Sequence, residues 1–379
     1  MSAEAKAVRQ GRVGFRHLTR LTDDTGLLEH CLGPIPRRRE GYTTDDNARA
    51  LWACLDWMEL APPEECERLR KLADTYLSFL LWAQSEDGRF HNNFFYDRSP
   101  EPEQPSDDCT GRTLWALALA RRRSSDRGRR FAAETMLRRS AESAAAIASP
   151  RGWAYALAAC RLLQEPADER ADGGAAAAEL SALAALADRF ERRLAEAYRA
   201  SSDRSWRWFE PMLTYGNGLL PWALLRSYAA TGRREALEIG LDALRFLIER
   251  MTAPQGWIRP IGNRGWCTRE SCSLWDQQPL EAMKLALAAE QAYRITGEEA
   301  YRDVVRACRD WFYGSNDVGA VLVDPEEGAC CDGLGPDGPN VNCGAESTLS
   351  YLLTEAVYAR VCDEQSEADV GRRAVEAVP

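Results

Sequence analysis

Two stretches of the chain set adjacent aspartates ahead of an arginine. Thr44 to Ala53 reads TDDNARALWA, and Asp107 to Ala116 reads DDCTGRTLWA. Aligned on Arg49 and Arg112, Asp45 matches Asp108, and both end in Leu-Trp-Ala. Two carboxyl groups suffice to cleave a glycosidic bond. One protonates the leaving oxygen; the other takes a proton from water or attacks the sugar. Burial among tryptophans and other carboxylates raises the pKa of the acid. Glu210 in WRWFEPMLTYGNG and Asp276 in SLWDQQPLE stand in loops of the same texture. The catalytic pair is therefore expected among Asp46, Asp108, Glu210 and Asp276.

The surrounding segments mix acids, amides, arginines and aromatics, the set that recognises sugars through hydroxyl hydrogen bonds and ring faces. Expected binding residues are Tyr42, Asp45 and Arg49 in segment 41–49, His91, Asn92 and Asn93 in 87–98, and Asp107 and Arg112 in 106–112. Further along come Trp153 and Tyr155, then Trp208, Tyr215 and Asn217, then Arg259 and Trp266. Trp275, Gln277, Gln278 and Glu281 precede or open a helix, and Asp332, Asn342 and Glu346 complete the set. Each has a structural alternative. Asp45 could cap a helix, and Asp45–Arg49 and Asp108–Arg112 could be i,i+4 ion pairs. Asp276 could be a cap, and a lone His91 is more often a hydrogen-bonded structural residue.

The elements that position these residues form a repeat. Asp45 and Asp108 are 63 residues apart, about one sixth of the 379-residue chain. Helices apolar on most faces, such as WAYALAACRLL, must be buried on all sides. They start near Asp45, Asp108, Gly152, Gly216, Gln278 and Gly344. Amphipathic, charged helices alternate with them at 64–84, 130–149, 176–200, 233–252 and 298–313. The sixth outer helix is either 5–21 or 363–377. The pattern predicts an all-α fold, an (α/α)6 toroid, as one domain over 1–379. FHNNFFYD and AVLVD are read as short ribbons. Inner-helix N-termini would open at one mouth, where the polar segments collect.

Composition narrows the class. With 48 Lys and Arg against 58 Asp and Glu, the net charge is −10, so a nucleic-acid partner is not expected. No run of 18 apolar residues predicts a membrane span, and no leader-like N-terminus is seen, so a cytoplasmic location is expected. The twelve cysteines are then expected as reduced, mostly buried thiols. Cys267, Cys272, Cys330, Cys331 and Cys343 raise the question of zinc, but their spacing is poor for it. No metal or cofactor is expected, and the partner is an oligosaccharide.

The stretch HLTRLTDDTGLLEHCLGPIPRRREGYTTDDNARAL (17–51), with SDDCTGRTLWAL, FEPMLTYGNGLLPWALL and SLWDQQPLEA, resembles a bacterial family of (α/α)6 proteins of the six-hairpin glycosidase type. Its members are often encoded beside glycosyltransferases and mannoside phosphorylases. Residues 29–32, Glu-His-Cys-Leu, depart mildly from the usual pattern. The resemblance implies a sugar-active toroid with mannosides or related oligosaccharides as substrates. A glycoside hydrolase, inverting if its carboxyls come from different repeats, is the leading expectation. A glycan-binding subunit, a sugar epimerase, a uronate lyase and a zinc-dependent cyclase are the rivals. Epimerases usually need paired histidines, and this chain has only His17, His30 and His91.

Overall fold

The computed structural model describes residues 13–165 and 175–376. Its helices are α1 (Arg16–Leu21), α2 (Thr44–Leu60), α3 (Pro63–Ala83), α4 (Asp107–Arg123), α5 (Arg127–Arg139), α6 (Ala141–Ala145) and α7 (Pro150–Gln164). They continue with α8 (Ala175–Ala184), α9 (Ala187–Ser201), α10 (Leu219–Thr231), α11 (Arg234–Met251), α12 (Pro279–Thr296), α13 (Glu299–Phe312) and α14 (Ala345–Glu376). Two-residue strands form antiparallel ribbons, among them Tyr42–Thr43 with Asn93–Phe94 and Val323–Asp324 with Ala329–Cys330.

The fold is an (α/α)6 toroid. Helices α2, α4, α7, α10, α12 and α14 each pack on the next, and α14 returns to α2, so the inner ring closes. Local chemistry starts these helices where the polar segments end. The hydroxyls of Thr43, Ser106 and Ser149 accept from the amides of Asp46, Cys109 and Gly152, which makes them the N-caps of α2, α4 and α7. Pro150 and Pro279 occupy first-turn positions that need no amide hydrogen. Gly218 lies where an added Cβ would sit 2.3 Å from the Lys284 carbonyl oxygen, so glycine alone lets α10 approach α12 here.

The outer layer follows its expected bounds, with two breaks. The 130–149 helix divides at Ser140 into α5 and α6. The buried Gln84 amide donates to the Met136 carbonyl and the Ser140 hydroxyl, and Gly88 lies against the Arg139 carbonyl, so this turn abuts the helix. The 176–200 helix divides between α8 and α9, where Cys160 and Gln164 of α7 donate to the carbonyls of Leu183 and Ala184. The sixth outer position belongs to α1. Its His17, Leu18 and Leu21 are buried and it contacts α14. The preceding Phe15 packs edge-on to Trp57 of α2. The tail continues α14 to Glu376. Among the described residues, no helix is long and apolar enough to cross a membrane.

Candidate active site at the toroid mouth

The N-terminal ends of α2, α4, α7, α12 and α14 converge on one cavity of about 470 Å³. It is lined by Asp45, Ser106, Asp107, Asp108, Arg112, Ser149, Tyr215, Leu280 and Glu346, with Pro105 at the edge. Asp108 accepts from the Tyr215 hydroxyl at 2.7 Å and the Ser149 hydroxyl at 2.8 Å. Asp107 is spent on structure, accepting the amides of Ala148 and Ser149 at 2.7 and 2.8 Å. Arg112 forms an ion pair with Asp45 of the neighbouring helix. The i,i+4 pairings expected from sequence are thus replaced. Arg49 instead bonds Asp46 at 2.7 Å and Glu346 at 3.0 Å.

Below the lining, Asp46 and Arg49 are buried. Burial raises the Asp46 carboxyl to about 6; Arg49 opposes the rise, while Glu346 and Asp45 add to it. Beside them the Tyr155 hydroxyl receives Arg112 Nε at 3.2 Å and Lys284 Nζ at 2.5 Å. The Lys284 ammonium also lies 5.0 Å over the Trp52 ring. Trp52, Trp115 and Trp222 then pack against one another with centroids 5.1–6.3 Å apart and fill the bore. The cavity is therefore a cup closed below by this charged layer and the tryptophan cluster under it, open at the end where positive helix termini favour anionic groups.

Other expected residues hold the loops around the cup. Glu210 pairs with Arg151 at 3.0 Å, and Arg151 also grips the Tyr215 carbonyl and the Thr214 hydroxyl. Trp266 rests 6.4 Å from the Tyr215 ring. Glu281 and Asn217 are fully buried and bonded to each other at 2.7 Å, tying loop 214–217 to α12. Asn92 accepts the Asp45 amide at 3.0 Å, Asn93 pairs with Thr43, and His91 faces Glu103. These three residues fix the start of α2. Asn342 donates to Asp332 at 2.9 Å and accepts the Cys31 amide. Burial and Glu346 raise the Asp332 carboxyl.

Several residues do not reach the cavity. Trp208 is fully buried against Phe209 and Phe246, so it packs the core. Trp153 is half-buried with its indole N–H on the Ile147 carbonyl. Tyr42 is buried, its hydroxyl donating to Asp23. Asp276 has φ +60°, a turn conformation, and is held by Arg264 at 3.0 Å in a partly exposed loop. Gln277 is buried between Trp311 and Asp317, and Arg259 closes the same knot on Asp317. Gln278 stands at the N-cap position of α12 without a side-chain cap bond. Trp275 shields Gly262 with its backbone. For Tyr42, Trp153, Asp276 and Gln277 the polar atoms go to hydrogen bonds with neighbouring parts of the chain rather than to the cavity.

Two residues outside the sequence expectation join the site. One is Lys284. The other is Glu29, whose carboxyl is raised to about 8 by burial, then by Asp46, Glu101, Glu346 and Asp332. A carboxyl raised in the folded state gives stability that is complete below its unfolded value near 4.5 and is lost as pH rises through about 8. The melting temperature of the wild type is thus expected to fall relative to Glu29→Gln between those pH values. A constant difference across that window would show that Glu29 does not titrate this way.

The cysteine expectation is corrected at one pair: Cys267 and Cys272 are joined as a disulfide across a tight turn. The other cysteines resolved as free include buried Cys54, Cys160, Cys308 and Cys330, as expected. Among the described residues, no group of three or more His, Cys, Asp or Glu side chains is arranged to hold a metal ion.

No protein-family profile matches the sequence, and no curated protein matches it. Solved structures do match the fold. A cellobiose 2-epimerase from Bacillus thermoamylovorans superposes with TM-score 0.70 at 12% identity, over 95% of this chain and 99% of that one. A D-mannose isomerase gives 0.68 at 11% identity, over 96% and 98%. The GH76 α-mannanase of Bacteroides thetaiotaomicron gives 0.62 at 12% identity, over 97% and 95%. A GH76A α-1,6-mannanase from Salegentibacter gives 0.59 at 12% identity, over 94% and 98%, as an inactive variant with two consecutive aspartates replaced by alanine, bound to an α-1,6-linked mannotetraose.

Proposed function

We propose that the chain is a one-domain glycoside hydrolase acting on oligosaccharides, mannosides first among them, with Asp108 and Glu346 as its two catalytic carboxyls. The carrying observation is the cup itself. Its wall holds Asp45, Asp108 and Glu346 around a single arginine, and no histidine lines it. His17 is turned to the Cys343 carbonyl, His30 to Asn342 and His91 to Glu103. That arrangement suits acid–base cleavage better than the paired histidines of an epimerase. The toroid is shared with epimerases and mannanases alike, so fold alone does not choose. The mannanase inactivated by loss of two consecutive aspartates adds support, since adjacent aspartates open both α2 and α4 here.

Asp108 from α4 and Glu346 from α14 approach the cup from either side of Asp45 on α2. One protonates the leaving oxygen and the other activates water. Origins on helices that are not ring neighbours suit the wider spacing of an inverting enzyme. Proton NMR of the first-formed anomer tests this, and retention would refute it. Asp46 is bonded to Arg49 and adds negative charge behind Glu346.

The function itself is tested by incubating the protein with a mannoside-led panel of oligosaccharides and measuring reducing ends released. Release that follows time and enzyme concentration supports the proposal. Tight sugar binding without release would establish a glycan-binding subunit instead. Tyr215→Phe removes one hydrogen bond to Asp108. It is expected to lower kcat/KM by roughly 10–100-fold, the equivalent of about 1.5–3 kcal/mol for a hydrogen bond to a charged partner. An unchanged kcat/KM would mean that Asp108 needs no such support.

A further inference from the structure

We propose that Tyr155 and Lys284 share one proton beneath the cup, and that the resulting phenolate anchors Arg112 and so positions the Asp45 carboxylate. The geometry is unusual for a tyrosine. Its oxygen receives two donors, Lys284 Nζ at 2.5 Å and Arg112 Nε at 3.2 Å. Both side chains also place their charge against the ring, at 4.7 and 5.3 Å. Tyr155 and Lys284 are essentially inaccessible to water. Among the described residues no carboxylate pairs with Lys284, so a buried ammonium there needs another anion, and the phenol is the group in reach.

The exchange is a simple transfer. The Tyr155 O–H bond breaks, its proton moves to the neutral Lys284 amine, and a phenolate–ammonium pair results with no change in total charge. The charged groups that act most strongly on the pair come from the neighbouring inner helices. Arg49 of α2 and Arg112 of α4 flank it, Asp45 and Asp108 act through Arg112, and Glu346 of α14 acts through Arg49. Burial alone would raise the phenol. Lys284, Arg112 and Arg49 together bring it below the ordinary tyrosine value. Burial in turn lowers Lys284 to about 8, with Tyr155 opposing and Arg112 reinforcing the shift. A phenolate holds the Nε end of Arg112 while its outer nitrogen holds Asp45, fixing one wall of the cup.

The link to catalysis rests on the hydrolase reading, but the ionisation does not, and it can be measured without substrate. Absorbance at 295 nm follows tyrosinate as the folded protein is titrated from pH 6 to 10. The expected result is a step worth one tyrosine with its midpoint below the ordinary value of about 10. Tyr155→Phe should lack that step, and Lys284→Met should move it above pH 10. If Tyr155→Phe does not fold, the 13C shift of tyrosine Cζ in the wild type gives the same reading. One resonance that reaches the phenolate position below pH 10 supports the pair. Wild type and Tyr155→Phe titrating alike, a step that ignores Lys284→Met, or no such resonance would each overturn it. Where turnover is seen, the pH profile of kcat should change in Lys284→Met; an unchanged profile would refute the positioning role.

Discussion

Asp108→Asn is expected to lower kcat on the oligosaccharide substrate by roughly 10²–10⁴-fold with KM little changed, the usual contribution of a positioned acid or base. The reason is local. Asp108 lines the cup, and both its oxygens are oriented by hydroxyls, from Tyr215 and Ser149. The amide keeps the size and one acceptor but cannot exchange a proton. Its neighbour in the doublet provides the contrast. Asp107 accepts two backbone amides, so Asp107→Asn should weaken folding more than it slows turnover. Glu346→Gln should produce a loss of the same order as Asp108→Asn. A substrate with an activated leaving group, which needs no protonation, should restore turnover in only one of the two variants, and that variant marks the acid. Urea unfolding of each protein separates chemistry from stability. If Asp108→Asn keeps kcat within about threefold, well under the effect of a catalytic proton donor, the carboxyl pair lies elsewhere.

The ring was legible because its signals are local. Thr43, Ser106 and Ser149 cap helices whose apolar faces leave no solvent side, and all six observed starts fall within three residues of expectation. The doublet repeat was real as well, since Asp45 and Asp108 line the same cup. What the sequence could not supply was the partner of each charge. A helix neighbour four residues away was a possible partner for Arg49 and for Arg112, but Arg49 pairs with Asp46, three residues back, instead. In the toroid, neighbouring inner helices are as close, so Arg112 reaches Asp45 and Arg49 reaches Glu346. The aromatic loops misled for a related reason. Trp208 and Tyr42 lie beside polar residues in sequence, yet their rings turn into the core because loops over a toroid must bury something of their own. Lys284 carried a signal that was passed over. It is the lone lysine in LEAMKLALAA, a helix buried on every face, and a charge there must have a partner. Glu29 had no such mark; its environment is assembled from Asp46, Glu101, Asp332 and Glu346, which are distant in sequence.

Glu281→Ala is expected to destabilise the fold by about 3 kcal/mol or more, because it strands several buried donors at once. The carboxylate accepts the Asn217 side chain at 2.7 Å and the backbone amides of Gly216 and Asn217. Neither group is open to bulk solvent, since Glu281 and Asn217 are both fully buried. Burial raises the Glu281 carboxyl despite these donors, so the neutral glutamine of Glu281→Gln imitates one of its states and should cost less than alanine. The consequence for function follows from the loop. Residues 214–217 carry Tyr215, and Arg151 clamps the same turn through Thr214 and the Tyr215 carbonyl. With its tie to α12 gone, the turn loses one of two anchors, and the Tyr215 hydroxyl should lose its aim at Asp108. Glu281→Ala should therefore reproduce the kcat/KM loss of Tyr215→Phe on top of its lowered urea midpoint. Combining the two substitutions should cost little more activity than either alone, because both act on one hydrogen bond. Additive losses would show that Glu281 serves the reaction by a route that does not pass through Tyr215.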